Sequence, residues 1–180
     1  MRRILFVLGE LHDADLQWMI DTGSVLEAAD GDVLIEEGVP NERLLIVIDG
    51  KASVRHRAGG GAEITRVGIG ELAGEIGLLD SRPPIATVVA VGDVRVFVLE
   101  YSTLRTKMER DSGFAARFYR AVALVLANRL DAAQAAPSSA GGSPLSEDVR
   151  DEGELQPELM DSVALSGTRF LSFLSRLEKS

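Results

Sequence analysis

Between Ser24 and Glu100 short β-branched runs alternate with glycine turns: Asp30-Gly31, Glu37-Gly38, Asp49-Gly50, Gly59-Gly60-Gly61, Gly68, Gly70 and Gly92-Asp93. Turn signals recurring roughly every 8–12 residues suit strands rather than long helices, so they predict an all-β sandwich or barrel. Leu44 to Ile48 is an unbroken apolar run that ends in Asp49-Gly50. It reads as a buried strand entering a tight hairpin, with Ala52 to Arg57 as the returning strand. Val94 to Leu99 reads as a second buried strand.

Helical periods flank this region. Leu11 to Ile20 is an amphipathic helix candidate, with Asp13 and Asp15 in the first turn, where the helix dipole favours acids. After Glu100, Ser102 suits the N-cap of a short helix over Thr103 to Arg110. Ser112 or Gly113 then begins a longer helix through Phe114, Phe118, Val122, Val125, Leu126 and Leu130. Its middle, Ala121 to Ala127, is apolar all round. Packed on one roll, such a helix would leave half of that surface in water, which predicts a homodimer through residues 114–131.

Composition divides the chain near residue 132. Residues 1–131 hold the folded domain, residues 132–156 read as a flexible acidic Pro/Ser/Gly linker, and residues 157–180 read as an amphipathic C-terminal helix. In that last segment Met160, Val163, Gly167, Phe170, Leu174 and Leu177 recur at alternating steps of three and four, so it could dock on its own roll or pair with a protein groove. The 19 Lys and Arg against 28 Asp and Glu leave a net charge of −9, which argues against a surface for DNA, RNA or acidic lipid. Ile4 to Leu8 is too short for a signal-peptide core, and Ala121 to Ala127 falls well below the roughly 20 residues of a membrane span. A soluble cytoplasmic protein that does not engage a membrane is the expectation. The absence of Cys removes disulfides, thiol nucleophiles and the usual soft zinc ligands. His12 and His56 are the only imidazoles and lie far apart without a matched carboxylate pattern, so no metal site is assigned.

Leu72 to Ala90, LAGEIGLLDSRPPIATVVA, is the most informative stretch. A Gly-Glu pair opens it, one helical turn fits Ile76 to Leu79, a Pro pair stiffens the exit and a β-branched strand follows. A short helix start presents unpaired N–H groups to an anion, and a neighbouring carboxylate accepts hydrogen bonds from sugar hydroxyls. Spacing alone leaves two readings open: a sugar-phosphate cradle, or an ordinary crossover loop with a surface Glu.

The first helix and the roll of short strands come in a particular order with Gly31-Asp32-Val33-Leu34-Ile35-Glu36-Glu37-Gly38, Val47-Ile48-Asp49-Gly50-Lys51-Ala52-Ser53-Val54 and the Gly-Glu to Ala-Thr-Val segment. Over about residues 8–131 this combination resembles the cyclic nucleotide-binding domain family, of the cAMP-receptor-protein and protein-kinase-A regulatory-subunit type. The resemblance implies a mainly β fold, a jelly-roll-like β-barrel of the double-stranded β-helix type, with flanking and C-terminal helices. It also implies binding of cAMP or cGMP, with occupancy transmitted by the helices after the barrel.

Carried over residue by residue, Gly74 and Glu75 match the family's Gly-Glu pair, whose Glu holds the ribose 2′-hydroxyl. Ile76 and Gly77 fall in the short helix whose backbone amides face the cyclic phosphate. Ile85 and Ala86, with Thr87 following, fall where phosphate or base is met. The family's phosphate-binding Arg falls on Pro84, which has neither charge nor N–H. Losing one charge-assisted contact to a buried anion costs on the order of 2–5 kcal/mol, about 30-fold to several thousand-fold in affinity. Arg82, two residues earlier, either reaches into the pocket or points to solvent, since the Pro83-Pro84 pair fixes the backbone beside it. A hydroxyl at position 85 would favour guanine in this family, and Ile85 has none. Weakly bound cAMP, another nucleotide, or no ligand all stay open.

No Gly-x-Ser-x-Gly elbow, paired-carboxylate signature or His-containing triad appears, so no catalytic residue is assigned and the chain is read as a non-enzyme. A metal-bearing cupin-like enzyme is disfavoured by the single His between Ser24 and Glu100. Many bacterial members of the family follow the roll with a DNA-reading helix-turn-helix. Here only Leu155 to Ser180 could supply one, and one amphipathic helix makes no such reader, so direct DNA binding is not expected. The expectation is a cyclic nucleotide-binding-type sensor module with an altered phosphate site, without a cofactor, that couples occupancy to the helices at 102–131 for an unidentified protein partner. The alternative is a ligand-free scaffold of the same fold, used for protein interaction or oligomerisation.

Overall fold

The computed structural model describes residues 9–135, residue 169 and residues 172–177. The elements run α1 (Asp13–Thr22), β1 (Ser24–Ala28), β2 (Val33–Ile35), β3 (Arg43–Arg55), a 3-10 turn (Arg57–Gly59), β4 (Glu63–Gly68), β5 (Leu72–Ala73), α2 (Glu75–Asp80), β6 (Thr87–Glu100), α3 (Tyr101–Arg110) and α4 (Ser112–Ala135). The sheet is antiparallel throughout and is built on β3 and β6, the two long strands. Arg43 to Val47 pair with Val96 to Glu100, flanked by β5 on one side and β1 on the other. Lys51 to Arg55 pair with Thr87 to Val91, flanked by β4 and β2. Each long strand therefore serves two layers, which gives the jelly-roll character. The sheet runs in the order β1-β6-β3-β4 and is not closed into a barrel.

Alternation along β3 explains the apolar run Leu44 to Ile48. Leu45 and Val47 point between the layers, into a cluster with Ala52, Val88, Ala90 and Val96. Leu44, Ile46 and Ile48 point the other way, into a second cluster shared with the helices. A strand buried on both faces has no polar position to reveal its period.

Asp49-Gly50 does not make the expected hairpin. Leu44 to Ile48 and Ala52 to Arg55 are one continuous strand, and both halves pair with β6 across register shifts on either side of Asp49. A left-handed Asp-Gly step serves a bulge as readily as a turn, and here the bulge carries the chain from one layer to the other. Gly50 has φ +77°, and a Cβ there would collide with the Asp93 carbonyl oxygen. Replacing Gly50 with alanine is expected to cost about 2 kcal/mol, the left-handed penalty plus overpacking. The shift of the urea unfolding midpoint at constant slope measures it; an unchanged midpoint would contradict the bend.

The helices cover the outer face of the first layer. Leu16, Met19 and Ile20 of α1, Leu104 and Met108 of α3, and Phe114, Phe118 and Val122 of α4 close over it. Trp18 meets Phe114 edge-on, with ring centroids 5.3 Å apart. Asp15 of α1 accepts two hydrogen bonds from Arg117 of α4, at 2.8 and 2.9 Å, and a third from the His12 N–H at 2.8 Å. Glu10 pairs with Arg120 at 3.2 Å. α3 starts at Tyr101, ahead of the expected cap Ser102, and α4 runs to Ala135, past the boundary read at residue 131. Residues 132–135, read as the start of the linker, are helical, while residues 136–156 and the amino-terminal run lie outside the described residues. Among those described, no helix is long and apolar enough to cross a membrane.

Candidate functional site

β5 pairs with Leu45 and Ile46 of β3, so the segment at Leu72 to Ala90 leaves directly from the first layer. Gly74 turns it into α2 with φ +90°, and a Cβ here would strike the Arg43 carbonyl oxygen and crowd Asn41 and the Tyr101 hydroxyl. Glycine is the residue that permits this start. The Gly74 carbonyl accepts from the Tyr101 hydroxyl, which in turn accepts from Asn41 Nδ2 at 2.9 Å. Burial pushes the Tyr101 phenol up to about 12, opposed by the Asn41 hydrogen bond and reinforced by the Glu75 charge, so it stays a proton donor.

Glu75 opens α2 and is 3% exposed, buried like Asp15 among the described residues. Its Oε1 pairs with Nη1 of Arg129, and Nη2 of the same guanidinium donates to the Leu72 carbonyl. Arg129 projects from α4, so the start of the cassette is tied to the long C-terminal helix. Arg105 of α3 reaches the other end of α2 at Ser81 Oγ, 3.4 Å away, while stacking over the Tyr101 ring. Ile76 is half-buried and Gly77 buried; the N–H of Ser81 closes the helix on the Gly77 carbonyl at 3.0 Å.

The exit is different in kind. The Arg82 side chain is 73% exposed and turned to Asp80, whose carboxyl is held below its usual range by the Arg82 N–H and then its guanidinium. The solvent-facing alternative for Arg82 is the observed one. Pro84 is half-buried, and its carbonyl accepts from the Gly38 N–H at 2.8 Å. Ile85 is exposed. Ala86 and Thr87 are half-buried, and Thr87 Oγ1 accepts from the Glu37 N–H at 3.1 Å. Hydrogen bonds thus hold positions 84 and 87 to the loop after β2, and the cation meeting Glu75 comes from α4.

Asn41, Tyr101 and Arg129 were not legible as site residues. Arg129 carried one signal: a guanidinium on the same helix as the apolar run Ala121 to Ala127 needs a partner. Neither His joins a ligand set; His56 Nδ1 accepts from the Ala58 N–H at 3.0 Å and caps the 3-10 turn. No cluster of three His, Asp or Glu suited to a metal is present among the described residues. A cleft of about 320 Å³ between α1 and α3, lined by Trp18, Thr103, Lys107 and Arg110 among others, lies away from the cassette.

A family model described as the cyclic nucleotide-binding domain matches residues 25–111. Over 78 residues the chain is 31% identical to a CRP-like cAMP-activated global transcriptional regulator of Mycobacterium tuberculosis, covering 42% of this chain and 35% of that protein. The match thus spans about a third of that relative's length. The N-terminal domain of a transcriptional regulator from Streptomyces coelicolor A3(2) is 32% identical, with a TM-score of 0.58, covering 68% of this chain and 89% of the other. A cyclic nucleotide-binding domain from Methylobacillus flagellatus shares the fold at 20% identity, with a TM-score of 0.69 and coverage of 78% and 84%.

Proposed function

Residues 25–111 make this chain a member of the cyclic nucleotide-binding domain family, and from that membership we propose that it is a sensor module in which cassette occupancy sets the placement of α4. The family is one of regulatory ligand-binding domains and not of enzymes. The observation that carries the proposal is the Glu75–Arg129 pair, a direct link from the cassette to the helix after the roll. A carboxylate accepts several hydrogen bonds, so sugar hydroxyls arriving at Glu75 share or displace the guanidinium. Any such competition biases the equilibrium between placements of α4, which is population shift in its simplest form.

The ligand class follows from the exit. Pro84 and Ile85 supply neither a cation nor a hydroxyl, and Arg82 is engaged with Asp80, so the module is a weak cAMP binder, or a binder of a related nucleotide, rather than a cGMP receptor. Ala116, Tyr119, Ala123, Leu126 and Leu130 form a stripe of exposed or half-buried residues at steps of three and four along α4. This spacing is that of a helix-pairing seam and supports a homodimer through α4. The module uses no cofactor and hands its state to a protein partner; direct DNA contact forms no part of the proposal.

Calorimetric titration with cAMP, cGMP and cyclic dinucleotides to millimolar concentration tests this reading, with hydrogen exchange along α4 as the second readout. The Pro84→Arg variant is expected to bind cAMP about 30-fold more tightly, by restoring one charge-assisted contact. Silence of both wild type and Pro84→Arg towards every nucleotide would end the sensor reading. It would leave a ligand-free scaffold, which the exposed, Asp80-paired Arg82 and the uncharged Pro84 favour on their own.

A further inference from the structure

The described end of the chain, residue 169 and residues 172–177, is helical and lies on the outer side of the domain against α1. Phe173 is 2% exposed and meets the Phe97 ring edge-on, with centroids 5.1 Å apart. It shares an apolar cluster with Leu16 and Ile20 of α1, and Leu174 and Leu177 pack against the same cluster. Polar contacts rim the plug. Arg169 pairs with Asp13 at 3.2 Å and donates to the Leu11 carbonyl at 3.1 Å, while Arg176 donates to Gln17 at 2.8 Å. A groove of about 260 Å³ runs along the seam between this segment and α1, so the fit is incomplete.

We propose that Leu16, Ile20 and Phe97 form a docking socket for an amphipathic helix, and that segment 169–177 of the same chain is its exchangeable occupant. The domain beneath does not need the plug. α1 is held to α4 by the Asp15–Arg117 and Glu10–Arg120 pairs and by the Trp18–Phe114 contact, in none of which the segment takes part. An amphipathic helix, by contrast, draws most of its stability from packing its apolar face, which the socket supplies to this segment. Its docking depends on the socket and on the tether.

Charge and polarity match across the seam: Asp13 on the socket side takes Arg169 of the segment, and Gln17, which itself donates to Asp21 at 2.7 Å, takes Arg176. The chain provides 33 residues between Ala135 and Arg169. Being part of the same chain, the segment meets the socket intramolecularly, at an effective concentration well above that of a second molecule at micromolar protein. At micromolar protein the chain's own segment therefore wins over that of a second copy. Undocked, it uncovers an apolar patch that takes a helix carrying an Arg-x-x-x-Phe-Leu-x-x-Leu pattern. The proposal rests on the fold and not on nucleotide binding.

A fluorescent peptide of residues 166–180 titrated into the full-length chain tests it. Wild type holds its own segment in place and binds the peptide only weakly. The full-length Phe173→Ala chain, whose socket is vacated, is expected to bind it about tenfold more tightly or better. A peptide carrying Phe173→Ala binds neither chain. The full-length Arg169→Ala/Arg176→Ala variant leaves the core untouched and is expected to gain about threefold, which keeps the test decisive if Phe173→Ala does not fold. Equal or absent binding across wild type and the folded variants, or unimpaired binding of the Phe-less peptide, overturns the proposal.

Discussion

Replacing Arg129 with alanine is expected to lower the unfolding free energy by about 3–5 kcal/mol, the range for removing one partner of a buried ion pair. The loss comes from what is left behind. Glu75 is 3% exposed, and without Arg129 its carboxylate keeps the cost of burial without its counter-charge. The Leu72 carbonyl loses its guanidinium donor as well. Because the Arg129 side chain is 25% exposed, water can partly take its place, which puts the expectation at the lower end of that range. Two further variants separate stranded charge from lost packing. Glu75→Gln in the Arg129→Ala background is expected to return part of the loss, and Glu75→Leu with Arg129→Met is expected to lie near wild type, since apolar replacement of both partners is often neutral. Urea unfolding of the four proteins measures this. A loss under about 1 kcal/mol for Arg129→Ala would show a solvent-screened pair, too weak to link the cassette to α4.

The second large effect is expected at the clamp between α1 and α4. Burial raises the Asp15 carboxyl, but the Arg117 hydrogen bonds, the His12 N–H and the Arg117 charge outweigh it, so the group ends below its ordinary value of 3.8. A carboxyl whose folded pKa is depressed stabilises the fold above the unfolded pKa, and that contribution disappears as pH falls through the folded value. The stabilisation is therefore whole from neutral pH down to about pH 4 and is lost in stronger acid. Asp15→Asn is expected to cost about 2 kcal/mol at pH 7, because it removes the charge facing Arg117, whose side chain is 24% exposed, and weakens the hydrogen bond to the His12 N–H. Its stability curve should then approach that of wild type as the pH is lowered below 4. Urea midpoints from pH 7 to pH 2.5 read this convergence; two curves that stay parallel would show that the Asp15 charge plays no part.

How far the molecule could be read in advance differs from one element to another. The helix at α1, the buried strand at Leu44 to Ile48 and the helical turn read at Ile76 to Leu79, which runs from Glu75 to Asp80, were all legible, because a period or a Gly-Glu start declares itself within a few residues. The Asp49-Gly50 step reads as a hairpin turn and is a bulge within one strand. Turn and bulge use the same two residues, and the difference lies in where β6 happens to run. The chain left two placements of Arg82 open, and its turn towards Asp80 required the geometry of the helix end. Asn41 and Tyr101 gave no sign of their role, since their hydrogen bond joins residues 60 positions apart.

The order of residues by itself determined the β region between its flanking helices, the burial of the strand at Leu44 to Ile48, and the family. These depend on spacing over a few residues, and spacing is written directly in the chain. Only the tertiary structure decided that the sheet stays open, that Glu75 is held by a guanidinium from the far helix, and that Phe173 closes over Phe97. Each of these is a meeting of side chains brought together by the bend of β3 and β6 and by the packing of helices. The free energy of such a meeting belongs to the closed fold rather than to either residue's neighbours along the chain.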